Sequence, residues 1–253
     1  PHWGTAILVL GAISSFLGVL YALSEHDIKR LLAFHSVENI GIILLGVGAS
    51  ITFFAFGIPI LGIIALAAAL YHTINHAIFK GLLFLSAGSV VHATHTRNME
   101  EYGGLIRKMP WTAFFFLIGA VAISGLPPFN GFASEWLTFQ SLFAGIATMP
   151  LLFKAAFLLG AASLAFTGGL AAACFVKAFG ATFLARARGH STSHVRESDF
   201  SMQFGMGFLA LLTLLFGIGA STVAPLLASV AAGVRGLGAD VGSLVAPSQA
   251  VTL

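Results

Sequence analysis

His72, His76 and Lys80 stand four residues apart inside one apolar stretch, residues 58–91. In a helix, residues at i, i+4 and i+8 share a side, and each step rises roughly 6 Å. Ionisable groups inside an apolar span are costly, roughly 2.5–3.5 kcal/mol each on insertion scales. Two histidines and a lysine in register therefore form either a ladder along which protons can step or a set of polar contacts that glue helices together. The histidine pair also has metal-binding spacing. No carboxylate follows it in the His-Glu-x-x-His manner and no third ligand is evident, so no metal site is expected.

Further ionisable residues lie within apolar runs. Glu38 falls about ten residues into its run, with His35 at i−3 and Asn39 next to it, so one polar stripe forms at that depth. Lys80 is flanked by Ile78, Phe79, Leu82 and Leu83. Desolvation disfavours the charged form of any such group, which is what a switchable proton carrier needs. Glu135 is the matching acid. Lys29, beside Arg30 at the start of a run, reads equally as a path member or as a topological, snorkelling lysine. Lys177 stays open in the same way, between a terminal relay and a snorkelling residue near the basic end of its run.

The elements that must position these residues are long and apolar. The chain is 58% hydrophobic and 8% charged, against roughly 25% charged in soluble domains. It reads as an all-α integral membrane protein with about six transmembrane helices: 3–22, 28–49, a third run from 58 to about 92, a fourth from 111 to 146, then 154–184 and 203–232. Asp27 is the expected N-cap of the second. The third is longer than one crossing and must be tilted, protruding or broken. The fourth meets Ser124-Gly125-Leu126-Pro127-Pro128-Phe129-Asn130-Gly131 midway. Pro127, Pro128 and Gly131 cannot continue an ordinary helix, so a broken helix is expected, with freed backbone groups lining a polar site beside Asn130, Ser134 and Glu135. A plain kink is the alternative.

Charge sets the topology. Lys29/Arg30, Arg97/Arg107/Lys108 and Arg186/Arg188/Arg196 occupy the first, third and fifth connections, while the second is uncharged and the fourth is flanked only by Lys154. The positive-inside rule makes that side cytoplasmic. His92, His95, His190 and His194 fall at or beyond the same ends and read as solvated loop histidines or a proton-collecting antenna. The formal charge of +3 calls for no nucleic-acid partner, and the single Cys174 builds neither a disulfide framework nor a metal cluster. No nucleotide-binding loop, nucleophile elbow or haem motif is present, so no cofactor is expected in this chain. Clusters such as Gly160-Ala161-Ala162-Ser163 and Gly168-Gly169 read as close helix packing. Residues 3–232 form the expected membrane domain and 233–253 a weakly polar tail. The chain opens at Pro1-His2-Trp3 without Met and reads as a piece of a longer protein.

Three stretches carry a family resemblance: Asp27-Ile28-Lys29-Arg30-Leu31-Leu32-Ala33-Phe34-His35-Ser36-Val37, Tyr71-His72-Thr73-Ile74-Asn75-His76-Ala77-Ile78-Phe79-Lys80, and Leu126-Pro127-Pro128-Phe129-Asn130-Gly131-Phe132-Ala133-Ser134-Glu135-Trp136. The chain resembles the antiporter-like proton-translocating subunits of respiratory complex I and energy-converting hydrogenases, shared with Mrp-type cation/proton antiporters. In its details it looks most like hydrogenase 4 component B and the formate hydrogenlyase membrane subunit. The resemblance implies a fold of two inverted five-helix repeats, of which this chain would hold the second and one following helix. It further implies that Lys29, His72, His76 and Lys80 form a connecting axis, with Glu135 as the exit-side group, Glu38 on the paired helix and Lys177 beside them.

By that resemblance the expected function is proton translocation in a redox-driven complex of a bacterial inner membrane. The partners would be other membrane subunits and a peripheral redox module, in which the electron chemistry would lie; this chain would be a non-redox subunit of a membrane oxidoreductase. The alternatives are a sodium/proton antiporter subunit and a non-pumping membrane anchor whose polar residues serve packing only.

Overall fold

A segment within a bilayer must satisfy its backbone N–H and C=O groups internally, so apolar runs of this length become helices. The computed structural model describes residues 1–186 and 194–234. These are all-α, apart from one isolated bridge between Asp27 and Asn98. The helices are α1 (His2–Ser24), α2 (Ile28–Ala55), α3 (Pro59–Thr94), α4 (Pro110–Ile123), α5 (Asn130–Thr148), α6 (Leu151–Phe179), α7 (Phe200–Ile218) and α8 (Ala220–Val234). Five of them, α1, α2, α3, α6 and α7, are long and apolar enough to cross a membrane. The sixth crossing is made by α4 and α5 together, interrupted at residues 124–129 as the proline and glycine run predicts.

Two elements sharpen the sequence reading. The third run is one unbroken helix of 36 residues. At 1.5 Å per residue it is about 54 Å long, well beyond a hydrocarbon core of about 30 Å, so it spans by tilting or protruding. The last run, expected as a single helix over 203–232, is two: α7 ends at Ile218 and α8 starts at Ala220. The mark of the interruption is Gly217-Ile218-Gly219, with Gly219 as the C-cap of α7, rather than any charged or polar run.

Asp27 caps α2 as expected, its carboxylate accepting from Lys29 N and Arg30 N at 2.8 and 3.0 Å. The first, third and fifth connections meet at one end of the bundle. Ile28 N donates to Arg97 O at 3.0 Å and Met99 N to His26 O at 2.9 Å. Glu197 accepts from Trp111 N at 2.9 Å and from the Thr112 hydroxyl at 2.6 Å, so the fifth connection supplies the N-terminal cap of α4. His92, His95 and His194 line a cavity of about 270 Å³ at this end with Arg196. Arg188, His190 and the tail beyond Val234 lie outside the described residues.

The helices approach closely where side chains are absent. Gly4, Gly11 and Gly18 of α1 recur every seven residues; Gly4 meets Gly48 of α2, Gly11 meets Gly41, and Gly18 meets Glu38. A Cβ on Gly18 would stand 2.6 Å from Glu38 N, so this seam sets the depth and facing of Glu38. In α6, Ser163 donates to Ala12 O at 2.8 Å, and Gly160 packs on Leu8, Leu45 and Leu142, in keeping with a packing role for that cluster.

Candidate functional site

The break is built from backbone. α4 ends at Ile123 with Ser124 as its C-cap, and Gly125 follows at φ +63°, a left-handed conformation that suits glycine. α5 restarts at Asn130, and no side chain caps the free N–H groups of its first turn. Gly131 lies against the end of α4, where an added Cβ would fall 1.9 Å from Ala122 O. From the other side α7 abuts the break: a Cβ on Gly217 would stand 2.1 Å from Pro128 O. The Tyr71 hydroxyl, from α3, donates to Phe216 O near the end of α7.

Around this break runs a line of buried polar groups. On α2, His35 Nδ1 meets the Glu38 carboxylate, and Asn39 Nδ2 donates to His35 O at 2.8 Å. Asn39 Oδ1 lies 3.1 Å from His72 Nε2, which joins α2 to α3. His72 Nδ1 lies 3.0 Å from Ser134 Oγ, which joins α3 to α5. Asn75 Nδ2 donates to Ser134 Oγ at 3.0 Å and to Asn130 O at 2.8 Å, and Asn130 Nδ2 returns a bond to Asn75 Oδ1 at 3.2 Å. His35, His72, Asn75, Asn130 and Ser134 are all fully buried. Three buried atoms on or near the line, His35 Nε2, His76 Nε2 and Asn130 Oδ1, have no hydrogen-bond partner among the described residues. Each is a place where a water could bond.

The His72–His76–Lys80 series does not form one contiguous ladder. No hydrogen bond joins His72 to His76 or His76 to Lys80 among the described residues, and Phe79 packs against both histidine rings. Each four-residue step overshoots a helical turn by about 40°, so Lys80 is turned about 80° from His72. His72 faces the break. Lys80, 7% exposed, reaches α2 and donates from Nζ to Leu32 O at 3.0 Å. Glu135, 8% exposed, folds back over the break, close enough that a Cβ on Gly125 would sit 2.5 Å from its Oε2. A Cβ on Gly168 of α6 would stand 4.0 Å from the same oxygen.

The two remaining lysines lie toward the basic end. Lys29 is half-buried in the first turn of α2, two turns from His35. Lys177 Nζ donates to Leu23 O and Glu25 O at 2.9 and 2.8 Å, where the carbonyls of α1 run out. Asn75 and the bridging role of Asn39 are not foreseen by the ionisable pattern. Their signal is spacing: Asn75 stands at i+3 from His72, and Ser134 at i+4 from Asn130, both pairs sharing a helix face. Among the described residues no three His, Cys, Asp or Glu side chains gather to hold a metal ion.

An all-helical bundle of membrane-length helices, with a broken helix and a buried polar line, defines a polytopic membrane subunit. The family described as NADH:quinone oxidoreductase/Mrp antiporter, TM, matches residues 1–160, and the chain belongs to it. Hydrogenase-4 component B of Escherichia coli K12 is 47% identical over 229 residues, covering 90% of this chain and 34% of that protein. Formate hydrogenlyase subunit 3 of the same organism is 43% identical over 227 residues, 90% of this chain and 37% of that protein. Among solved structures, the membrane-bound sulfane sulfur reductase, an archaeal respiratory membrane complex, contains a chain that superposes with a TM-score of 0.73 at 31% identity, over 86% of this chain and 32% of its own length. The chain thus spans about a third of the length of the curated relatives it matches. The family expected from the three motif stretches is borne out, as is the likeness to the hydrogenase 4 and formate hydrogenlyase subunits.

Proposed function

We propose that this chain moves protons through the membrane as part of an antiporter-like subunit of a redox-driven complex of the hydrogenase 4, formate hydrogenlyase or complex I type. One observation carries the reading. Buried hydrogen bonds link Asn39 on α2 to His72 on α3 and Ser134 on α5, and the Glu38–His35 pair on α2 adjoins this line where Asn39 bonds the His35 backbone carbonyl. Such a line is costly in hydrocarbon unless it serves transport or packing, and the break beside it frees backbone groups that transport sites use. In this reading Glu38, His72, His76, Lys80 and Glu135 carry or gate the proton along the bundle's interior, with Lys29 and Lys177 toward the basic end. Residues 3–232 would be the second repeat and one following helix, with the basic end cytoplasmic in a bacterial inner membrane. The partners would be further membrane subunits and a peripheral redox module that drives the transfer.

The test uses the full-length subunit in its complex, reconstituted in vesicles. Lys80→Ala and Glu135→Ala should each abolish coupled proton uptake while electron transfer continues. Pumping that survives both changes rejects the reading. The family also takes in Mrp antiporters, so the same vesicles assayed with and without sodium separate a proton pump from a sodium/proton exchanger.

A further inference from the structure

We propose that Ser134 is the positioning residue that lets His72 gain and lose a proton in place, its hydroxyl turning between the imidazole and the carbonyls of the broken helix. This rests on the proton-transfer reading above and assigns a part in it to a side chain that does not itself titrate.

The donor and acceptor roles follow from one fixed amide. Asn39 Nδ2 is committed to His35 O, so Asn39 presents its carbonyl oxygen to His72. An amide oxygen can only accept, so His72 Nε2 carries a hydrogen. In the neutral ring Nδ1 is then a lone pair, and the group 3.0 Å from it, Ser134 Oγ, must donate. Asn75 Nδ2 donates into one lone pair of the same oxygen, so the serine has a single hydrogen to direct. It has three acceptors in reach: His72 Nδ1, Gly131 O at 3.2 Å and Asn130 O at 3.3 Å.

When a water-borne proton adds to the Nδ1 lone pair, the hydronium giving it up and leaving as water, the imidazolium becomes the donor. Ser134 Oγ accepts from it, still accepts from Asn75, and swings its own hydrogen onto Gly131 O or Asn130 O. The O–H bond of Ser134 does not break, and one rotation about Cβ–Oγ satisfies every group again. Both carbonyls belong to the first turn of α5, so the protonation state of His72 changes the hydrogen bonding of the break itself. Alanine at 134 would leave the neutral Nδ1 lone pair without a donor and the imidazolium N–H without an acceptor. The second of these is a lost bond to a charged group.

The full-length subunit in its assembled complex is compared as Ser134→Ala, Ser134→Thr and His72→Ala, reading protons moved per electron and the infrared bands of isotope-labelled His72. Ser134→Ala should lower proton transfer about tenfold or more and shift the His72 bands to those of a ring unbonded at Nδ1. Ser134→Thr, which restores a hydroxyl, should recover most of both. Should Ser134→Ala fail to assemble, Ser134→Cys, a weak donor of similar size, replaces it and is expected to fall below Thr. Normal pumping by Ser134→Ala alongside a dead His72→Ala overturns the role of Ser134 and leaves the proton-transfer reading standing. Normal pumping by His72→Ala overturns both. Threonine performing no better than alanine assigns Ser134 to packing.

Discussion

Lys80 directs its ammonium to the carbonyl oxygen of Leu32, 3.0 Å away on α2, and makes no bond to His76 one turn before it on its own helix. A carbonyl can hold the ammonium but cannot take its proton, so any transfer from Lys80 must pass to another acceptor, with water the natural intermediary. Lys80→Met distinguishes a carrier from a packing residue. Methionine has similar volume and no charge, and replacing a buried charge by an apolar group is often neutral or stabilising. Thermal stability of the assembled complex should hold or rise while proton transfer falls at least about tenfold, an effect of roughly 1.4 kcal/mol or more on the transfer barrier. Unchanged proton transfer would favour the anchor reading.

Among the described residues, Asn39 and His72 form the side-chain bond that joins the polar stripe of α2 to α3. A double-mutant cycle of Asn39→Ala and His72→Ala, read by thermal unfolding in detergent, should show a coupling of about 0.6 kcal/mol and at most about 1.7 kcal/mol, the range for such bonds inside membrane proteins. The control cycle of Asn39→Ala with His76→Ala should be additive, because His76 Nε2 has no hydrogen-bond partner among the described residues. Equal coupling in the two cycles would contradict the geometry.

Lys177 is held by Leu23 O and Glu25 O. Two bonds from a charged donor to the frayed end of α1 give it a structural task whether or not it also relays protons. Lys177→Met should destabilise the complex by about 1.5–3 kcal/mol and lower proton transfer per assembled complex. Loss of stability with proton transfer unchanged would take Lys177 off the path and leave it the structural task alone.

The crossings and the break were legible in the sequence because both are backbone matters. A run of about 20 apolar residues has few options in a bilayer, and a Pro-Pro pair beside glycines removes the donors that a helix needs. The sidedness of the basic connections was legible for the same reason, since charge is local. The wiring of the site was not. The spacing of His72, His76 and Lys80 suggests one stack, yet the partners that orient them, Asn39, Leu32 and Ser134, come from α2 and α5 and depend on how those helices are rotated. Nor does hydropathy reveal the division of the last run at Gly219.

Gly217 tests whether the break is held in place from outside. α7 carries no ionisable residue, yet its backbone passes so near the break that a Cβ on Gly217 would stand 2.1 Å from Pro128 O, 2.6 Å from Phe129 C and 2.8 Å from Asn130 N. All three are backbone atoms, so no rotamer change can relieve the clash, and either α7 or residues 128–130 must move. Movement of Asn130 would disturb its bonds with Asn75 and the carbonyl that Ser134 uses. Gly217→Ala should therefore cost about 1–3 kcal/mol or more of stability and lower proton transfer from a position with no chemistry of its own. Gly205→Ala is the control on the same helix. Its nearest contact would be Leu85 Cδ1 at 3.7 Å, an ordinary distance, and alanine is the better helix former by up to about 1 kcal/mol. That variant should be neutral or stabilised, with proton transfer intact. If both alanines are tolerated alike, α7 does not clamp the break.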